Sequence, residues 1–150
     1  MNPRSRLALI PHRPPFLFVD EIVELTSDRI LTKMWADPDA DYFKGHYPGH
    51  PVMPGVLICE CVFQAGALLV VHRLGAEKAK GTVPVLTRIK EAKFKHIVRP
   101  GQTLAVEVVF DEELGGASYL TGLVTVEGRK VLRVAFVCML ADEASAEDRG

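Results

Sequence analysis

Apolar and polar residues change their spacing several times along this chain, and the changes divide it into elements. Met1 to Arg13 is mixed, and Pro11-His12-Arg13-Pro14-Pro15 interrupts any regular structure. Phe16 to Leu25, rich in Phe, Val and Ile, predicts a strand. Thr26-Ser27-Asp28 turns the chain, and the bulky residues of Arg29 to Trp35 predict a second strand paired with the first. Ala36 to Asp41 is acidic and reads as a loop. Gly55 to Leu74 is apolar at nearly every position, about 30 Å long if helical, with Gly75 placed to cap its end. A helix apolar on every side is normally buried, and Glu60, Gln64, His72 and Arg73 suit the centre of a soluble fold better than a membrane.

Four further strands follow: Val83 to Lys95, Gln102 to Asp111, Ala117 to Val126 and Lys130 to Leu140. The connections Arg99-Pro100-Gly101, Glu113-Leu114-Gly115-Gly116 and Glu127-Gly128-Arg129 are short, which requires antiparallel neighbours. Two strands, one helix and four strands predict an α+β fold, a curved antiparallel sheet wrapped around one long central helix. The 150 residues fit a single domain, 1–150, with a polar, frayed tail over 142–150.

Composition narrows the function. With 48% hydrophobic and 25% charged residues and a net charge of −1, the chain has no excess of positive charge for broad nucleic-acid binding. Cys59, Cys61 and Cys138 are too few for a disulfide framework and sit among apolar residues, so they read as core thiols in a reducing cytoplasm. The N-terminus lacks the apolar core of a secretory signal, and no run is both long and charge-free enough for membrane insertion.

Candidate chemistry gathers between Gly45 and Gln64. Pro48, Pro51 and Pro54 remove three backbone donors and fix φ at three-residue intervals, which predicts an extended, rigid loop running into the helix. The loop holds His46 and His50, either of which could act as a base. Their four-residue spacing would form a chelate only on a helix, which the prolines forbid, so no metal is expected. Glu60 lies one and a half turns into the helix, where an ionised carboxylate needs a partner or a cavity; it is either a solvated or paired structural residue or an acid–base group. Gln64, four residues on, shares its face and can orient it. The Pro54-Gly55 helix start is either simple initiation or an oxyanion site built from free N–H groups. Arg88, Lys90, Lys93, Lys95 and Arg99 face the single acid Glu91 in sequence, and are either a solvated strand face or a dock for an acidic partner. No G-x-S-x-G, G-x-G-x-x-G or Walker pattern occurs, so cofactor-free chemistry is expected.

Taken together, these stretches resemble the 3-hydroxyacyl-acyl carrier protein dehydratases of fatty acid synthesis, FabZ type, which have the hotdog fold. The likeness runs through Leu9-Ile10-Pro11-His12-Arg13-Pro14-Pro15-Phe16-Leu17-Phe18-Val19-Asp20, Tyr42-Phe43-Lys44-Gly45-His46-Tyr47-Pro48, Pro51-Val52-Met53-Pro54-Gly55-Val56-Leu57, Glu60 with Gln64, Lys93-Phe94 and Arg99-Pro100-Gly101. The resemblance implies that His46, rather than His50, is the catalytic histidine, that Glu60 is its acidic partner, and that the Gly55 N–H polarises a thioester carbonyl. Glu60, where the related dehydratase/isomerases carry aspartate, implies dehydration without isomerisation. Also implied are acyl carrier protein as partner, docked on the basic run, and a homodimer, with a trimer-of-dimers hexamer as a further assembly, in which the histidine of one chain meets the acid of the other. The competing expectations are a hotdog thioesterase and a non-catalytic acyl-binding subunit.

Overall fold

The computed structural model describes residues 6–143. Six strands, β1 (Glu21–Leu25), β2 (Arg29–Trp35), β3 (Thr82–Phe94), β4 (Thr103–Leu114), β5 (Ala117–Val126) and β6 (Arg129–Asp142), form one sheet in the order β1-β2-β4-β5-β6-β3. Every pairing is antiparallel. Helices α1 (Asp41–Gly45), α2 (Gly55–Leu74) and α3 (Ala76–Ala79) lie between β2 and β3. The α+β arrangement of one long helix against an antiparallel sheet is therefore the one expected, and α2 and β5 have the expected bounds.

The sheet supports the helix through simple alternation. Along β5, Ser118, Leu120, Gly122, Val124 and Val126 are buried while their neighbours are half-exposed, as a strand with one face on a core requires. Leu104, Val106 and Val108 of β4 and Val134, Phe136 and Cys138 of β6 join the same layer. By length and composition α2 could cross a membrane, but thirteen of its twenty residues are buried in this core. Close approach is possible because two glycines stand at the crossing: a Cβ on Gly66 would lie 2.6 Å from the Phe136 ring, and one on Gly122 only 2.1 Å from Val62 Cγ1. The β5–β6 hairpin closes through Glu127 and Gly128 with φ of 52° and 77°, the two-residue turn whose twist matches the strands.

Several expectations need correction. The strands joined by Arg99-Pro100-Gly101 are not neighbours: β3 pairs with β6, and β4 with β2 and β5, so this connection crosses the fold rather than closing a hairpin. Phe16 to Asp20 is not strand: the Phe18 N–H is taken by the Gln64 side chain at 2.8 Å, so this segment is held by the helix and pairing begins only at Glu21. Asp41 is not loop but the start of the one-turn helix α1, which ends at Gly45, immediately before His46. The proline loop is not simply extended, since Tyr47 has φ 61° and the His50 N–H turns back to the Tyr47 carbonyl at 2.9 Å. At the C-terminus β6 continues to Asp142, paired with Thr82; the remainder of the expected tail, 144–150, lies outside the described residues.

Gly122→Ala should lower stability by about 1–3 kcal/mol, because Val62 Cγ1, 2.1 Å from the new methyl group, must rotate away while its Cβ stays 3.3 Å from it. A thermal melt reads this; an unchanged midpoint would mean that α2 does not seat so closely on β5.

Candidate active site

His46 follows α1 directly, and its ring is fixed by its own loop. Nδ1 lies 2.8 Å from the Val52 carbonyl oxygen. A carbonyl can only accept, so Nδ1 carries a proton, and in the neutral ring the lone pair is on Nε2. The Met53 N–H donates to the Val98 carbonyl at 2.8 Å, tying the loop to the chain beyond β3. His46, Val52, Met53, Gly55, Ile58 and Phe94 line a mainly apolar cleft of about 340 Å³. His50, the rival base, is exposed and does not line it.

The start of α2 opens on the same cleft. The Leu57 and Ile58 N–H groups both turn to the Pro54 carbonyl, so Gly55 and Val56 hold the helix N–H groups with no intrahelical acceptor. The Phe94 ring lies against Gly55 closely enough that a Cβ there would sit 3.0 Å from it. Glycine thus leaves the first N–H of the helix accessible beside His46.

Glu60 points elsewhere. Five residues after Gly55, it is about 7.5 Å further along the helix and about 140° around it, and it does not line the His46 cleft. One carboxylate oxygen, Oε1, accepts from Gln64 Nε2 at 3.2 Å and lies 3.6 Å from His12 Nε2. Gln64 is fully buried; its Oε1 accepts the Phe18 N–H, and its Nε2 also donates to the Phe16 carbonyl at 3.2 Å. The structure therefore places Gln64 against Glu60, as their spacing suggests, but keeps Glu60 and His46 apart within one chain.

His12 had no role assigned from sequence. Its signals are its place in a proline cluster and in the first stretch of the family resemblance, and nothing local indicates contact with a residue 48 positions on. Burial lowers the pKa of its ring, the charge of Glu60 offsets part of that, and Arg13 adds to the lowering. Cys59, Cys61 and Cys138 are buried thiols; burial, reinforced by Glu60, pushes Cys138 up to about 12 and raises the other two as well. They are packing groups rather than nucleophiles. Among the described residues no cluster of three or more His, Cys, Asp or Glu is placed to hold a metal ion.

Arg88, Lys90, Lys93, Lys95 and Arg99 are all exposed. Register with β6 puts Arg88 and Lys93 on the outer face, Lys93 opposite Arg133. Leu86, Ile89 and Phe94 pair with Cys138, Phe136 and Leu132 and so face inward, yet they remain 37%, 52% and 51% exposed. β3 is also the end strand of the sheet, with one edge unpaired among the described residues.

A single long helix in the grip of a six-stranded antiparallel sheet, with a histidine beside the helix start, is a hotdog-fold protein. The dehydratase heterocomplex ApeI:P from Xenorhabdus doucetiae has the same fold, with a TM-score of 0.81 at 14% identity over 99% of this chain and 97% of that one. Residues 10–135 match the FabA-like domain. The sequence is 41% identical over 135 residues to a 3-hydroxyacyl-[acyl-carrier-protein] dehydratase FabZ of Anaeromyxobacter dehalogenans, covering 89% of this chain and 86% of the relative. It is 38% identical over 136 residues to the protein of that description from Rickettsia massiliae, covering 90% and 92%. The chain belongs to the FabA-like family.

Acidification should destabilise the fold through His12. Its folded pKa lies below the ordinary 6.5, so between the two values the unfolded chain binds more protons and stability rises with pH. Stability should therefore fall as pH drops below about 6.5, and His12→Gln should remove that part of the dependence. Urea midpoints measured from pH 7.5 to 5 for both proteins test it; equal slopes would show that His12 titrates normally.

Proposed function

We propose that this protein catalyses the reversible dehydration of a 3-hydroxyacyl thioester carried by acyl carrier protein to the trans-2-enoyl thioester, a step of fatty acid biosynthesis. The observation that carries the reading is the locked tautomer of His46, which leaves Nε2 as a base in an apolar cleft beside the Gly55 N–H. The relatives described above bear this activity in their names. His46 Nε2 removes the proton on Cα, and the electron pair forms the Cα–Cβ double bond as the Cβ–O bond breaks. Glu60 gives its proton to the departing hydroxyl, which leaves as water. Negative charge gathered on the thioester oxygen meets the Gly55 N–H and the positive end of α2.

Because Glu60 lies outside the His46 cleft, the acid in each site is that of a second copy of the chain. The supporting feature is β3: an open edge and an inward apolar face left uncovered suit pairing with another β3. The working unit is a homodimer, and a hexamer would be three of these. The exposed basic groups Arg88, Lys90, Lys93, Lys95 and Arg99 receive the acidic carrier protein, and the buried free thiols suit a reducing cytoplasm.

His46→Ala and Glu60→Gln should each lower turnover by about 10²–10⁴-fold while the protein stays folded. Mixing the two variants after reversible dissociation should restore about a quarter of wild-type activity, since half the dimers are mixed and each has one intact site. No recovery in demonstrably mixed dimers would place both groups of a site in one chain. Release of free thiol from saturated acyl thioesters, without enoyl absorbance from the hydroxy substrate, would instead establish a thioesterase.

Replacing both Arg88 and Lys93 with Glu should raise KM for carrier-bound substrate about tenfold and leave kcat on a short pantetheine-like thioester unchanged. Equal effects on both substrates would refute carrier docking at this face.

A further inference from the structure

Glu60 can serve as an acid only if its proton sits on the oxygen that reaches the substrate, and the N-terminal loop bears on which oxygen that is. Gln64 cannot turn away from Oε1, because both ends of its amide are bound to the backbone of Phe16 and Phe18. His12 approaches the same oxygen at 3.6 Å, a polar contact that a small rotation of either side chain closes into a hydrogen bond. Its loop is braced: the Arg13 guanidinium donates to the Ile10 and His12 carbonyls at 2.7 and 2.6 Å, and the Phe16 N–H returns to the Arg13 carbonyl at 2.8 Å.

The other ring nitrogen of His12 decides its protonation. Nδ1 is buried and has no hydrogen-bond partner among the described residues. A bare lone pair survives there at modest cost, whereas a buried N–H without an acceptor is among the rarest of unpaired groups. The proton therefore belongs on Nε2, aimed at Glu60, and a second proton would strand an N–H in the interior. The neighbouring groups do not supply that missing acceptor. Cys59 and Cys61 of α2 and Cys138 of β6, the other titratable groups that feel Glu60, are buried thiols held neutral. Arg13, the charged group that acts on His12 from its own loop, disfavours an imidazolium.

We propose that His12 is a positioning residue for Glu60, a neutral Nε2–H donor that shares Oε1 with Gln64 and so confines the acidic proton to Oε2. Once His12 closes onto Oε1 beside Gln64, only Oε2 has a lone pair free for the proton, and it has no partner among the described residues. Neutrality is essential: an imidazolium here would form an ion pair with Glu60 and draw off the proton that the departing hydroxyl needs. The inference rests on the reading of Glu60 as the acid.

His12→Phe and His12→Gln test it, the first keeping ring volume without a donor, the second offering an N–H close to the place of Nε2 without titrating. His12→Phe should lower kcat about tenfold with KM within about twofold. It should also move the basic limb of the pH–rate profile up by about one unit, because the carboxylate loses a donor that favours its charged form. His12→Gln should recover most of the rate and return the limb to its wild-type position. An unchanged limb and kcat in His12→Phe would overturn the proposal, as would His12→Gln equally impaired at a wild-type melting temperature. Glu60→Gln separates the two levels: if it stays active, the acid assignment fails and this inference with it; if it is inactive while His12→Phe is unaffected, only the role of His12 falls.

Discussion

Everything else in this molecule depends on burying α2, a twenty-residue helix with apolar side chains on every side. Each large side chain removed from water contributes about 1.5–3 kcal/mol, but only if the surrounding surface reaches all the way round. Gly66 and Gly122 let helix and sheet meet without spacers. The same burial makes a polar side chain on α2 costly, which gives Gln64 and Glu60 their importance. Gln64 is tolerated at zero exposure because the backbone of Phe16 and Phe18 satisfies its amide.

That satisfaction also shapes the site. By taking the Phe18 N–H, Gln64 diverts the N-terminal segment from the sheet and lays it over the first half of α2, which brings His12 to Glu60. On the other side of the helix, the proline loop turns at Tyr47 and closes His46 onto its own Val52 carbonyl. The two chemical groups thus owe their orientation to different parts of the chain. His46 is held by backbone directly, and Glu60 through Gln64, whose amide is bound to the backbone of Phe16 and Phe18.

β3 shows the opposite situation, an element left unfinished. Its inner residues continue the apolar layer of β6, and Phe94 meets the start of α2, yet Leu86, Ile89 and Phe94 stay well exposed, and its outer edge has no neighbour among the described residues. An exposed apolar edge strand invites pairing. The basic residues on the outer face keep this strand from being uniformly apolar and give it a polarity that a partner of opposite charge can read.

The sequence by itself determined the elements whose signal is local or periodic: the bounds of α2 and β5, the glycine hairpins on either side of β5, the succession of two strands, one long helix and four strands, and the family motif around His46, Gly55 and Glu60. Those features follow from residue type and spacing, which the chain carries wherever it goes. Tertiary structure alone decided the rest. Phe16 to Asp20 has strand composition, but a hydrogen bond from a residue 46 positions away outweighs that preference. The separation of Glu60 from His46 follows from the turn of a helix seated on a particular sheet, and the nearness of His12 to Glu60 from a loop folded over it. Contacts between distant segments have no periodicity to reveal them, because they are set by which surfaces remain once the helix is buried.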